Sequence, residues 1–463
     1  MPSRRTTPGR TPNQPLRRLL SETGWSGARL ARELNAAATE QGWPLTYDRT
    51  TVSHWLAGTR PRPHIAQLAA EVLSRALGRP VSVTDTGLNP APAESGASGP
   101  VPWGDAAVDM LEHLNEPPGQ GGHSLGAVYS LAGLALPTWA PRAERSVSTR
   151  TGDPVVGPEQ VAACQSLLPV FSRADACFGA GVMREALSRF LAISAAGWLR
   201  LPAEPRFRRG LCTVAGQMAY LCAFAHFDSN LHRRAQQYYL TSLALAHEAG
   251  DRAGYALGLR GLSVQAHALG HFPQADRLAA QAVSLGLPHT PSGQQAFFLG
   301  QLAVTRASLN DPKAAARHLT AAEHLLDGAA SSTSPVGAYH PAALALHHAV
   351  VAGSLGDHRR AATSLQASLR HRPPTENRSR AITLAQLAEA QLNCGSLELA
   401  CHTWAEFLTV HSQISSARVD GHLATLIARI RPYRHNRAAA ALLDRAQQLR
   451  PRRATGKDAE DRP

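Results

Sequence analysis

The chain has 463 residues, 44% of them hydrophobic and 17% charged, with a formal net charge of +13. That length suits about three domains with sizeable cores, and the balance excludes a wholly disordered, collagen-like or disulfide-stapled chain. Aromatics are 5%, isoleucines are few, and the basic excess is almost all arginine because Lys313 and Lys457 are the only lysines; this favours helix over sheet and phosphate contacts over point charges.

Residues 1–15 are basic and Pro-rich without an apolar signal core, which predicts a flexible tail and a cytoplasmic rather than secreted protein. Residues 1–80 hold 12 arginines against five acids, so the first domain is expected to meet a polyanion. Residues 16–83 read as short helices with apolar faces at Leu16, Leu19 and Leu20, then Leu30 and Leu34, then Val52, Trp55 and Leu56, then Ile65, Leu68, Leu73 and Leu77. In the third of these, Asp48 or Thr50 can cap the start and Gly58 suits a left-handed end. Arg49, Thr51, Ser53 and His54 then face outward, the side chains a recognition helix offers to base edges and phosphates. Arg60 and Arg62, held by Pro61 and Pro63, are expected to grip the DNA backbone.

Residues 84–104, rich in Pro, Gly, Ser and Ala, read as a linker. Residues 105–158 read as a helical connector, with two helical patterns broken by the Pro117–Gly122 loop. From 159 to 449 nearly everything has helical period, and 450–463 reads as a disordered tail. The long segment repeats. Ala235, Ala275, Ala315, Ala361 and Ala400 recur at intervals of 40, 40, 46 and 39 residues. Five positions before each stands Asn230, Gly270, Asn310, Gly356 or Gly395, and four positions after it Tyr239, Ala279, Leu319, Leu365 or Trp404. Each unit is therefore a helix, a Gly/Asn turn, and a second helix with a small anchor for close packing. This resembles a tetratricopeptide repeat with a few added residues, and such units stack into an α-solenoid with a concave groove.

Chemistry-bearing motifs are sparse. No phosphate-loop, Gly-x-Ser-x-Gly or His-Glu-x-x-His pattern occurs, and Gly179-Ala180-Gly181 lacks a third glycine. No enzyme activity, cofactor or metal is therefore expected. His267 with His271, and His347 with His348, have no carboxylate or cysteine at ligand spacing and read as solvated or packing histidines. Cys164, Cys177, Cys212, Cys222, Cys394 and Cys401 form no Cys-x-x-Cys pair and read as buried free thiols. Residues 210–227 lack formal charge but carry Thr213, Gln217 and His226, so a core helix is expected rather than a membrane span.

Residues 51–63, Thr-Val-Ser-His-Trp-Leu-Ala-Gly-Thr-Arg-Pro-Arg-Pro, resemble the third helix and following loop of XRE-type helix-turn-helix domains, with Leu56 where that family commonly has glutamate. The connection 35–47 is longer than the usual tight turn, and Ser26-Gly27-Ala28 replaces the usual glutamine. Together with Tyr47-Asp48-Arg49, Val128-Tyr129-Ser130-Leu131-Ala132, Asp175-Ala176-Cys177-Phe178-Gly179 and His247-Glu248-Ala249-Gly250-Asp251-Arg252, the chain resembles actinobacterial regulators that join such a module to tetratricopeptide repeats. That family includes streptomycete negative regulators of sporulation and antibiotic production. The resemblance implies an all-α transcriptional regulator binding double-stranded DNA. A homodimer is expected because one small module reads few base pairs. The usual tetratricopeptide face, counted from the anchor alanines, puts Gln217, Tyr220, Phe224, Arg260, Val264, His267, Phe297, Ser308, Glu389 and Asn393 in a groove suited to a peptide or protein effector, or else against a neighbouring helix or partner subunit. The rival expectation is an interaction scaffold whose helix-turn-helix does not bind DNA.

Overall fold

The structure is a computed structural model that describes residues 11–40, 45–79, 81–88, 101–115, 129–136, 139–140, 155–327 and 336–449. Among these residues every extended element is helical, and one isolated parallel bridge joins Val156 to Ala203. The chain divides into two compact units, Met1–Leu168 with Arg184–His289, and Pro169–Met183 with Thr290–Pro463.

The first unit opens with a small helical module: α1 (Gln14–Thr23), α2 (Gly27–Glu40), α3 (Arg49–Leu56), α4 (Pro63–Leu77) and the single turn α5 (Val83–Thr86). Its core is the set of apolar positions at helical spacing, among them Leu16, Leu30, Leu34, Val52, Trp55, Ile65 and Leu73, all buried. The module is longer at both ends than the pattern predicts. Asn13 accepts the Leu16 amide at 3.0 Å as the cap of α1, and its side-chain amide donates to the Thr86 carbonyl at 3.0 Å. Leu88 is fully buried in the same core. So the supposed tail gives up Asn13, and the supposed linker gives up α5 and Leu88. The tail residues 1–10, the stretch 89–100, the Pro117–Gly122 loop and residues 450–463 lie outside the described residues.

The connector supplies α6 (Asp105–Leu114); of its second helical pattern, the described residues 129–136 hold only a 3-10 turn, Ala132–Leu134. Next come α7 (Pro158–Phe178), α8 (Ala180–Phe190) and α9 (Ala196–Arg200), the last two joined by a π-turn over Leu191–Ala195.

Packed helix pairs make up the rest. The first unit holds α10 (Pro205–Asp228) on α11 (His232–Ala249) and α12 (Arg252–Ala268) on α13 (Phe272–Gly286). The second unit holds α14 (Ser292–Ser308) on α15 (Pro312–Asp327), α16 (Pro341–Ser354) on α17 (His358–His371), and α18 (Asn377–Asn393) on α19 (Leu397–His411). A sixth pair, α20 (Ala417–Ile430) and α21 (Arg437–Gln448), follows without the repeat signature. Helix α10 is long and apolar enough to cross a membrane by composition, but 78% of its apolar window is buried in the fold, as a core helix requires.

The repeat works through its backbone. Asn230, Gly270, Asn310, Gly356 and Gly395 all have positive φ, between 58° and 83°. The amide of the next residue donates five residues back, from Leu231 to His226, His271 to Ala266, Asp311 to Arg306, Asp357 to Ala352 and Ser396 to Gln391, at 2.8–3.0 Å. This closes the first helix with its orphan carbonyls satisfied. The carbonyl of that same residue then takes the anchor alanine's amide, at 2.9–3.1 Å, and starts the second helix. The five anchor alanines are 0–4% exposed, since a larger side chain there would hold the paired helices apart.

Candidate nucleic-acid interface

Helix α3 is built by one cap and two apolar anchors. Asp48 accepts from the Thr51 amide and from the Thr51 hydroxyl, both at 2.9 Å. These bonds hold the Asp48 carboxyl below the usual carboxylate range. Val52 and Trp55 are buried, at 0% and 4% exposure, and Tyr47 meets the Trp55 ring edge-on at 5.5 Å. The helix therefore has one orientation, and Arg49, Ser53 and His54 are exposed on its other side. Thr51 differs from expectation. It is half-buried, and its hydroxyl proton is committed to Asp48, because a threonine two residues inside a cap reaches the capping carboxylate. Past the helix, Gly58 has φ 101° and Thr59 donates to the His54 carbonyl at 2.9 Å, which turns the chain so that Arg60 and Arg62 are exposed. His64 follows at the start of α4, where burial and then Arg62 push its pKa down.

The described ends of the α2–α3 connection are tied together by a side chain. Asn35 donates through its side-chain amide to the Tyr47 carbonyl and accepts the Tyr47 amide, both at 2.9 Å. At the other end of α2, Gly27 lies where a Cβ would stand 3.3 Å from Val52 Cγ1, so the residue replacing the expected glutamine region lets α2 start close against α3. Arg17, Arg18 and Arg32 are exposed cations that motif reading passed over; only the arginine count of the segment pointed to them. Arg79, itself exposed, is tied to Glu22 at 2.8 Å, and the half-buried Arg75 to Glu71 at 3.1 Å.

The residues expected to line a groove have mostly packing roles. Tyr220 and Arg260 are 6% and 8% exposed, and the Tyr220 phenol, pushed up by burial, bonds the Arg260 side chain. Its ring also meets Tyr239 edge-on at 5.5 Å. An effector carboxylate reaching Arg260 would have to displace that tyrosine. Phe224 lies against Phe227 at 6.1 Å, and His267, whose pKa burial lowers, against Phe272 at 5.3 Å. Gln217 and Val264 are half-buried. In the second unit Phe297 lies against Tyr339 at 5.5 Å, and Ser308 bonds the Val304 carbonyl of its own helix. Glu389 faces His422 at 3.3 Å and Asn393 accepts from Arg429, so α20 covers the side of α18 that was expected to be open.

Among the described residues no His, Cys, Asp or Glu group is arranged to hold a metal ion. His347 bonds the Tyr339 hydroxyl at 2.7 Å and His348 pairs with Glu323 at 2.9 Å. All six cysteines are free, but the expectation of burial holds only for Cys164, Cys212, Cys222 and Cys401. Cys177 is half-buried, and Cys394 is exposed because it stands at a helix end beside the left-handed Gly395. The buried Ser188, Cys222 and His226 touch, with Sγ 3.3 Å from the hydroxyl and 3.7 Å from Nδ1. Burial drives the thiol up to about 12 and the imidazole down to about 3, which leaves both neutral and unreactive.

A family model described as SP15 N-terminal domain matches residues 16–89, a span that ends one residue past the buried Leu88 and leaves the helix pairs outside it. No curated protein matches the chain.

Proposed function

We propose that the protein is a DNA-binding transcriptional regulator in which residues 16–88 contact duplex DNA as an XRE-type helix-turn-helix. In this reading the packed helix pairs supply dimerisation and partner sensing, with development or secondary metabolism as the regulated process. The observation that supports it most is α3 itself. Its inner side is locked by Val52 and Trp55, and its outer side offers Arg49, Ser53 and His54 beside exposed Arg60 and Arg62. Charged and short polar side chains on a rigid helix suit a major groove, and guanidiniums beyond its end suit phosphates.

A gel-shift panel over genomic fragments at several salt concentrations tests this. Binding should weaken steeply with salt as phosphate contacts release counterions. Ser53→Ala and His54→Ala should change sequence preference, by about 1–3 kcal/mol for a good bidentate contact and less for a single one, while Arg60→Ala weakens all sequences alike. Absence of a shift at every salt, or affinity indifferent to salt, would overturn the proposal in favour of a scaffold whose first module does not bind DNA. Light scattering at micromolar concentration should show a dimer, with or without DNA.

A further inference from the structure

A short segment, Tyr129 to Leu131 followed by the 3-10 turn Ala132–Leu134, is held in the first unit the way a bound peptide is held. The Ser130 amide donates to Gln236 Oε1 at 2.9 Å, and Gln236 Nε2 donates back to the Ser130 carbonyl at 2.7 Å. One side-chain amide on α11 thus pairs with both the backbone N–H and the C=O of a single residue, as a neighbouring strand would. Gln236 is 3% exposed and so is aimed by its surroundings rather than free to swing. Arg277 of α13 adds a bond to the Leu134 carbonyl at 3.2 Å. The side chain that anchors the segment is Tyr129, fully buried, its ring stacked on His271 at 5.7 Å with 5° between the planes. These contacts use backbone groups and one aromatic ring, which is the recognition chemistry of an extended peptide and not of a packed helix.

The segment's other edge holds α4. The Leu131 amide donates to Glu71 at 3.0 Å, Arg75 reaches the Tyr129 carbonyl at 3.4 Å, and the Arg75 guanidinium lies 5.7 Å from the centre of the Tyr129 ring. Beside the ring, Arg75 and His271 also line a cavity of about 310 Å³, so the aromatic seat is adjacent to open space.

We propose that the α11–α13 surface is a peptide-binding site occupied in cis by residues 129–134, and that its partner is an extended peptide presenting an aromatic residue followed by a small polar one. Such a peptide takes over Gln236 and the His271 stack, and the displaced segment withdraws the Leu131 amide from Glu71. Occupancy of the helix pairs is thereby communicated to the N-terminal module. The assignment does not depend on what that module binds.

A fluorescein-labelled peptide copying residues 127–136 tests it by anisotropy on the full chain. Wild type should bind weakly because the seat is filled. Tyr129→Ala should bind at least tenfold more tightly, as should Ser130→Pro, which removes the amide given to Gln236 without emptying the ring site. Adding Gln236→Ala to either chain should abolish binding, and a peptide with alanine for the tyrosine should not bind. Circular dichroism identifies which loosened chain keeps wild-type helicity, and that chain gives the result. No binding by the folded loosened chain, or binding that survives Gln236→Ala, would overturn the proposal and leave residues 129–134 as structural packing only.

Discussion

The α2–α3 connection and the five repeat turns solve one problem, joining two packed helices, by different means. In the repeats the backbone does it: a left-handed Asn or Gly, one amide returning five residues and one carbonyl starting the next helix. In the N-terminal module a side chain does it, with Asn35 bonding both polar groups of Tyr47 from twelve residues away. A backbone solution tolerates any sequence that reaches positive φ cheaply, so it can be repeated along a chain. A side-chain solution depends on one residue at one place, and it lets the connection lengthen without losing the register of α3 on α2. The difference matters for function, since α3 carries the proposed contacts and its aim depends on Asn35.

Acid should produce the largest effect, and it starts at a repeat turn. His226, which accepts the returning amide of the first turn, is 2% exposed, and burial holds its imidazole down to about 3. Between pH 6.5 and that value the unfolded chain binds a proton that the folded chain refuses. Stability is therefore complete above pH 6.5 and is lost as pH falls, by about 1.4 kcal/mol per pH unit from this site. Urea midpoints from pH 7 to 4 should fall steeply in the wild type and less steeply in His226→Gln; equal slopes would place the acid sensitivity elsewhere.

Asn35→Ala should cost the module about 1–3 kcal/mol, because it strips partners from the Tyr47 amide and carbonyl together. Asn35→Asp keeps the acceptor and should fall between. Hydrogen exchange should report the loss at α3 and not at α18 or α19. Uniform exchange across the chain would show that the clamp is not local.

Gly395→Ala should destabilise by about 1–2 kcal/mol, since a Cβ opposes φ 83° although nothing lies within 4 Å of it. Thermal melting of the purified variant measures this. A neutral result would mean that the turn relaxes to negative φ and that the backbone reading of the repeats is wrong.

The smallest effect should be Asn310→Gly, within about 0.5 kcal/mol of wild type, because asparagine already tolerates the left-handed region that it occupies at φ 61°. Comparing it with Gly395→Ala in one melting series separates conformational cost from contact loss.

By itself the sequence determined the helical class, the α3 helix with a cap at Asp48 or Thr50, and the repeat turns with their small alanine anchors. Each depends on residues within a few positions of one another, where capping, helical period and the sterics of positive φ act. It also marked Arg49, Ser53 and His54 as outward, because Val52 and Trp55 leave α3 only one inner side. Only the tertiary structure decided what Thr51, Arg260, Glu389 and Asn393 touch, where the first module ends, and that Gln236 holds Ser130 across 106 residues. These outcomes depend on which distant group arrives to satisfy a buried polar atom. Spacing along the chain carries no record of that, because a hydrogen bond is set by proximity in space and by the cost of leaving its partner unpaired.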